Sequence, residues 1–139
     1  MIQLKNLSRE FQVGNQVVHA LDAIDLSISQ GDYVSIMGVS GCGKTTLLNI
    51  LGLLDTPSSG DYILSGINTS EMNDDEMANI RSTKIGFIFQ SFHLIPRLTA
   101  AENIEIPMIL AGHSQKMRAE KVAKALARVN LTDRSDHRP

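Results

Sequence analysis

Four residues in one short stretch have the types and the spacing of a phosphate-binding loop: Gly38, Gly43, Lys44 and Thr45. They match the pattern G-x-x-x-x-G-K-[ST]. Glycines let a loop wrap closely around an anion, because a Cβ would block the approach of backbone N–H groups and the φ angles that they require. The lysine supplies positive charge to the β and γ phosphates, and the threonine hydroxyl is a hard oxygen ligand for Mg²⁺. The stretch therefore predicts binding of a nucleoside triphosphate with Mg²⁺.

The whole stretch forms the predicted nucleotide-binding loop and the start of the helix after it. Its residues are Gly38, Val39, Ser40, Gly41, Cys42, Gly43, Lys44, Thr45 and Thr46. We expect Thr46 to contact the α phosphate. A glycine-rich turn that binds no ligand is the alternative interpretation, and the flanking elements argue against it.

Elements of the required kind flank the loop. Residues 32–37 (DYVSIM) are a short β-rich run that predicts a strand, and residues 45–54 (TTLLNILGLL) have the apolar spacing of a helix. The motif requires a strand, a loop and a helix in this order, because the positive end of the helix then faces the phosphates.

An antiparallel pair of strands is predicted upstream of the loop. Residues 1–11 and 17–28 are the two runs, and a turn at residues 14–15 separates them. Phe11 ends the first run, 33 residues before Lys44. An exposed ring at this position can stack on a purine base, and an ordinary core phenylalanine is the alternative.

Two strands are predicted downstream of the loop. Residues 61–64 form the first, followed by a turn at residues 65–66, and residues 85–89 (IGFIF) form a buried strand that ends at Gln90. On the residues alone, Gln90 is either a polar residue that closes a strand or a functional side chain.

Capping boxes mark the starts of two downstream helices. Asn73 with Glu76 predicts a helix to about residue 84, and Thr99 with Glu102 predicts the next. We expect Pro107 to interrupt or restart that second helix.

A third helical segment starts at Ser114. Its predicted apolar face consists of Ala119, Val122, Leu126 and Val129. A basic stripe on the opposite side consists of Lys121, Lys124 and Arg128. This stripe is interpreted as a solvated face, with a lipid or partner contact as the alternative.

Composition excludes several classes of function. The chain has 139 residues, room for one domain, and a net charge of −2 with 4% aromatic residues, which argues against a nucleic-acid surface. No apolar run approaches the length of a membrane span, and the N-terminus lacks the apolar stretch of a signal peptide. Cys42 is the single cysteine, so no internal disulfide forms, as is usual in the reducing cytosol.

The chain resembles the ATP-binding subunits of ABC transporters, and more narrowly those of macrolide exporters and lipoprotein-releasing complexes. The resemblance rests on ALDAIDLSI, GVSGCGKTTLLNILGLLDTPSSG and IGFIFQSFHLIPRLTAAENIEIPM, and it spans essentially the whole chain. It implies an α/β fold, a P-loop NTPase core with an antiparallel β subdomain and part of a helical subdomain. Residues 1–139 would be the N-terminal part of one ATP-binding domain.

The resemblance also implies roles for individual residues. Phe11 matches the aromatic residue that stacks on adenine, although the family more often has tyrosine there, and Cys42 stands where serine is common. Gln90 matches the glutamine that approaches Mg²⁺ and the attacking water. The implied catalytic residues are thus Lys44 and Gln90, and the implied Mg²⁺ ligands are Thr45 and Gln90.

Partners follow from the same resemblance. A stretch after Gln90 would face the coupling helix of the membrane subunits; its residues are Phe92, Leu94, Ile95 and Arg97. The family works as a head-to-tail dimer of ATP-binding subunits that sandwiches two ATP molecules. The implied location is peripheral, at the cytoplasmic face of the inner or plasma membrane, with no nucleic-acid partner.

The family's later motifs do not occur in the 139 residues. The LSGGQ signature, the strand that ends in Asp-Glu and the switch histidine would follow Arg138 and Pro139. We therefore expect a truncated chain in which neither composite ATP site is whole, with hydrolysis slowed by several orders of magnitude. We also expect an unpaired sheet edge and marginal stability or aggregation.

Three functions stay open at this point. The first is ATP-driven transport by an ABC exporter, of which this chain is the N-terminal part. The second is a fragment that binds nucleotide and docks on membrane subunits without hydrolysis, so that the chain's status as an enzyme is undecided. The third is an unrelated phosphate-loop kinase or GTPase, against which the lack of an N-K-x-D-like base reader argues.

Overall fold

A four-stranded antiparallel sheet organises the N-terminal part of the chain. The computed structural model describes residues 1–91 and 93–139, which divide into two units, Met1–Phe87 and Ile88–Pro139. In the first unit the strands are β1 (Ile2–Val13), β2 (Gln16–Ile28), β3 (Ser59–Leu64) and β4 (Ile67–Asn68), in the sheet order β2-β1-β3-β4. The helices are α1 (Lys44–Leu51) and α2 (Asp74–Lys84).

The predicted hairpin is confirmed as β1 and β2. Its register pairs Ile2 with Ile28 and Phe11 with Val18, and the pairing shifts at three places between Leu4 and Glu10. Such irregularities bend and twist a strand locally, so they set where the far end of the hairpin lies. That far end carries Phe11.

The core of the first unit lies between the sheet and the helices. Its buried residues are Leu4, Leu7, Leu21, Ile50, Leu53, Tyr62, Leu64 and Met77. Tyr62 is also tied to α1, because its hydroxyl donates to the carbonyl oxygen of Leu51 at 2.8 Å. Burial of a large aliphatic side chain contributes about 1.5–3 kcal/mol, so Ile50 in α1 and Leu53 just after it hold the helix on the sheet.

Two of the predicted strands are wrong. Residues 32–37 and 85–89 take part in no ladder within the described part of the chain. Several of their large apolar side chains are exposed, with Tyr33 at 99%, Met37 at 86% and Ile88 at 102% of the reference area, whereas Ile85 is partly buried against the core. A β-rich composition favours extended backbone, but a strand also needs a neighbouring strand to accept its hydrogen bonds.

The capping box that starts α2 is confirmed. The backbone N–H of Glu76 donates to Asn73 Oδ1 at 3.0 Å, and the N–H of Asn73 donates to Glu76 Oε2 at 3.0 Å. The helix ends at Lys84 as expected. The helix predicted at residues 45–54 is shorter than expected, because α1 ends at Leu51. Leu53 has a left-handed backbone conformation, with a φ of 54°, which does not continue a helix.

The second unit contains α3 (Ala100–Leu110), α4 (Gln115–Arg128) and a 3₁₀ turn (Thr132–Arg134). The capping box of α3 is confirmed, and the hydrogen bonds from the backbone and side chain of Thr99 lower the pKa of Glu102. The expected break at Pro107 is wrong, because α3 continues to Leu110. Proline lacks a backbone N–H and its ring crowds the carbonyl one turn earlier, yet the helix continues for three residues past Pro107.

The apolar face of α4 is only partly as predicted. Val122 and Leu126 are buried, whereas Ala119 is exposed and Val129 lies past the last helical residue with 60% exposure. Arg118 ties α4 to α3, because its Nε lies 2.7 Å from Glu105 Oε1. The basic side chains of Lys121, Lys124 and Arg128 are exposed. In the described residues, none of the helices is both long and apolar enough to span a membrane.

Candidate functional site

The glycine-rich loop leads directly into α1. Gly41 has a φ of 81° and Gly43, the N-cap of the helix, a φ of 89°. The left-handed region is costly for residues with a Cβ, which accounts for glycine at both positions. Among the described residues, no acceptor bonds the N–H groups of Lys44, Thr45 and Thr46. A helix leaves its first N–H groups in need of an acceptor, so these three are available to an anion.

The ammonium group of Lys44 lies inside the loop. Its Nζ donates to the carbonyl oxygen of Gly38 at 2.9 Å and to that of Val39 at 2.6 Å, and it lies 3.5 Å from Cys42 Sγ. The loop therefore curls around a positive charge. An anion that enters the loop meets this charge together with the backbone N–H groups.

Close packing is a second reason for glycine at positions 38 and 43, because neither position has room for a Cβ. A Cβ on Gly43 would overlap the carbonyl oxygen of Ala20 and approach Leu21 Cδ2 to 3.1 Å, and one on Gly38 would lie 2.6 Å from Cys42 Sγ. The loop is thus seated directly against β2. The hairpin and the loop hold each other in place through this contact.

A cavity of about 220 Å³ lies where the loop meets β2. Its lining residues are Val18, His19, Ala20, Gly41, Gly43, Lys44, Thr45 and Thr46. The last five were predicted from the motif, and the structure brings them together. The three β2 residues were missed, although the pairing of Phe11 with Val18 across a hairpin with a known turn could have indicated them.

Phe11 is not a core residue, so that alternative is wrong. Its side chain is 36% exposed, and its strand partner Val18 lines the cavity. The guanidinium carbon of Arg9 lies 4.6 Å from the centroid of the Phe11 ring. The aromatic ring therefore lies at the end of the hairpin nearest the cavity, with a cation over one face.

The remaining candidate residues belong to the second unit. Gln90 is exposed and follows the unpaired residues 85–89. Leu94 and Ile95 are 49% and 46% exposed, and Arg97 is exposed as well. Phe92, predicted to face a membrane subunit, lies outside the described residues.

The donors of the site suit Mg²⁺ bound together with phosphates. The Thr45 hydroxyl is a hard oxygen that lines the cavity beside the phosphate loop. Gln90, the other predicted ligand, belongs to the second unit. Within residues 1–91 and 93–139, no three His, Cys, Asp or Glu side chains cluster as metal ligands. This donor set fits a metal that keeps water and phosphate oxygens as its other ligands, and Mg²⁺ is usually bound in that way.

The fold and the loop define a class. A glycine-rich loop that encloses a lysine and opens onto a helix N-terminus is characteristic of P-loop nucleotide-binding domains. The family model for the ABC transporter matches residues 21–139. The chain belongs to the ABC transporter family, as its motifs predicted.

Curated relatives agree with this assignment. The chain is 50% identical over its full length to the uncharacterized ABC transporter ATP-binding protein YknY of Bacillus subtilis (strain 168), of which it covers 60%. It is also 50% identical to the macrolide export ATP-binding/permease protein MacB of Burkholderia pseudomallei (strain 1710b), of which it covers 21%. The chain thus spans little more than half of the first relative and about a fifth of the second.

A solved structure gives the same fold. The ATP-binding cassette MJ0796, in a dimeric post-hydrolysis state bound to ADP and Pi, superposes with a TM-score of 0.88 at 41% identity. The match covers 100% of this chain and 62% of that one. The predicted ABC ATPase fold is confirmed for the part that this chain covers.

Proposed function

We propose that this chain is the nucleotide-binding part of an ATP-binding subunit that powers export by an ABC transporter. The loop geometry carries the proposal, because the ammonium group of Lys44 lies 2.6–2.9 Å from two loop carbonyl oxygens. Thr45 and Thr46 line the adjoining cavity. Lys44, Thr45 and Thr46 thus bring an ammonium group, backbone N–H groups and hydroxyls to one cavity, and these groups suit a triphosphate with Mg²⁺.

The proposal assigns roles to the individual candidate residues. The loop from Gly38 to Thr46 binds the phosphates, Lys44 neutralises the β and γ phosphates, and Phe11 stacks on adenine. Thr45 and Gln90 hold Mg²⁺, and Gln90 also orients the attacking water. When bound, Mg²⁺ stabilises the negative charge that develops on the phosphate oxygens.

The proposed partners are a second ATP-binding subunit and the membrane subunits of an exporter. Support comes from the names of the relatives, since MacB is named as a macrolide export ATP-binding/permease protein and MJ0796 is described as dimeric. The exposed residues after Gln90, including Leu94, Ile95 and Arg97, are the proposed contact with the membrane subunits. The proposed location is the cytoplasmic face of the membrane, held there by these subunits.

Binding without hydrolysis is the second candidate function. The residues that line the described cavity include no carboxylate that could act as a general base. A water molecule at the γ phosphate would therefore be activated only weakly by this part of the chain.

Paired assays test both functions. Calorimetry with Mg-ATP measures binding, and release of inorganic phosphate measures hydrolysis, with Lys44→Ala as the negative variant in each. Binding that Lys44→Ala weakens at least about tenfold, together with phosphate release on addition of the membrane subunits, supports the transport function. Binding without release in that complex supports the second function, and a chain that binds no ATP contradicts both.

A further inference from the structure

An ion pair joins the first strand to the segment after α1. Arg9 Nε donates to Asp55 Oδ2 at 3.0 Å, and Arg9 Nη2 lies 2.7 Å from Asp55 Oδ1. The contact is bidentate, and each side chain is only 22% exposed. Two parallel hydrogen bonds fix a guanidinium in orientation as well as in position.

Asp55 is itself held in place. Its Oδ1 also accepts the backbone N–H of Thr56 at 2.8 Å. Both carboxylate oxygens therefore have partners, and the carboxylate cannot rotate without breaking one of these bonds. Arg9 is anchored to a fixed group rather than to a mobile one.

The held guanidinium lies over the ring of Phe11. Its carbon is 4.6 Å from the ring centroid, which is within the range of a cation–π contact. One face of the ring is thereby covered, so a planar ligand can stack only on the other face. The ring is 36% exposed, which leaves area for such a ligand.

These contacts connect the aromatic ring to the phosphate loop through α1. Lys44 begins the helix, and Asp55 lies four residues past its end at Leu51. From Asp55 the connection runs through Arg9 to Phe11. The helix α1 therefore positions Lys44 at its start and, through the segment that follows it, the Asp55–Arg9 pair that holds the Phe11 ring.

We propose that Arg9 and Asp55 are positioning residues that hold the Phe11 ring in place to stack on the purine base of a bound nucleotide. This inference rests on the proposed function. A ring that is already oriented loses less side-chain freedom when the base binds, so the affinity for the base rises. Arg9 touches the ring and Asp55 holds Arg9, and neither side chain lines the cavity beside the phosphate loop.

The test compares a ligand that has a base with one that lacks it. Dissociation constants for Mg-ATP and for inorganic tripolyphosphate with Mg²⁺ are measured in the full chain and in its Arg9→Gln and Asp55→Asn variants. We expect ATP affinity to fall about fivefold, a part of what base stacking on an aromatic ring contributes. Tripolyphosphate affinity should stay within about twofold, because the loop is unchanged.

Two further variants sharpen the result. Arg9→Lys keeps the positive charge but loses the planar guanidinium that makes two hydrogen bonds to Asp55, so we expect an intermediate loss of ATP affinity. In a Phe11→Ala background, Arg9→Gln should add no further loss, because the ring that it positions is gone. Arg118→Gln is the matched control, since Arg118 pairs with Glu105 at 2.7 Å and similar exposure but touches no aromatic ring in the described contacts.

The outcomes separate the inference from the function on which it rests. Unchanged ATP affinity in both Arg9→Gln and Asp55→Asn overturns the inference. An equal fall in the affinities for ATP and for tripolyphosphate also overturns it, because it indicates that the ion pair is purely structural. If Arg9→Gln does not fold, Asp55→Asn alone decides, because it keeps the size of the side chain. If the unaltered chain binds neither ligand, the proposed function itself is wrong.

Discussion

The ammonium nitrogen of Lys44 lies 2.6 Å from the carbonyl oxygen of Val39, five residues earlier in the chain. This hydrogen bond joins the two ends of the phosphate loop and holds the ammonium group among the loop residues that the motif predicted. A charge held in this way needs little rearrangement before it meets a phosphate. Preorganisation of this kind lowers the cost of binding.

Replacement of Lys44 by alanine tests the role of that charge. We expect ATP affinity to fall about tenfold to a hundredfold, the range for loss of hydrogen bonds to a charged group. The free energy of unfolding should change by less than about 1 kcal/mol, because the hydrogen bonds of Lys44 lie at the surface. Calorimetry and urea unfolding measure the two quantities. Lys124→Ala on α4 is the control, and equal affinities in the two variants would contradict the proposed site.

A comparison of alanine substitutions at Gly43 and Gly66 tests the packing of the loop against β2. Their φ angles are 89° and 86°, but only Gly43 has a neighbour, the carbonyl oxygen of Ala20, where a Cβ would lie. Gly66→Ala should cost about 1–2 kcal/mol from the left-handed conformation alone. Gly43→Ala should cost clearly more and should also abolish ATP binding. Urea unfolding of both variants measures the difference, and equal costs would rule out the steric contact.

Much of the fold is predictable where the signals are local. The capping box of Asn73 with Glu76 and the turn at Gly14 are encoded within a few residues, and both appear as predicted. The phosphate loop is similar, because its chemistry lies in one continuous stretch.

Other features depend on residues distant in the sequence, and these were mispredicted or missed. Whether residues 32–37 form a strand depends on a neighbouring strand that their own composition does not specify. The contribution of Ala20 to the cavity depends on the hairpin register, which shifts next to it, between Arg9 and Glu10. The Arg9–Asp55 pair joins positions 46 residues apart, and no local pattern indicates it.

Alkylation of Cys42 tests the placement of the loop from another direction. The thiol is exposed and lies 3.5 Å from the ammonium nitrogen of Lys44. An added group there would crowd the phosphates, so we expect N-ethylmaleimide to lower ATP affinity about tenfold or more. Bound ATP should in turn slow the labelling. Cys42→Ser is the control and should bind ATP with or without the reagent. Unchanged affinity of the labelled chain would refute the proposed position of the phosphates.

Tyr62 connects the sheet to α1 and therefore bears on the stability of the site. Its side chain is 1% exposed, and its hydroxyl donates to the carbonyl oxygen of Leu51 at 2.8 Å. Tyr62→Phe leaves that carbonyl without the bond, and we expect a loss of about 1–2 kcal/mol at pH 7. Tyr33→Phe is the matched control, because Tyr33 is 99% exposed and should change little. Equal unfolding midpoints in urea for the two variants would contradict the role of the bond.

The pH dependence of stability gives a separate test of the same residue. Burial raises the pKa of Tyr62 to about 12, from an ordinary value of about 10 for tyrosine. The folded state thus favours the neutral phenol, whereas the unfolded chain ionises Tyr62 from about pH 10 upward. The contribution of Tyr62 to stability is therefore complete below pH 10 and is lost as pH rises toward 12. Urea unfolding from pH 8 to 11 should show the unaltered chain losing its advantage over Tyr62→Phe as pH rises. A difference between the two that stays constant across this range would show that Tyr62 ionises equally in both states.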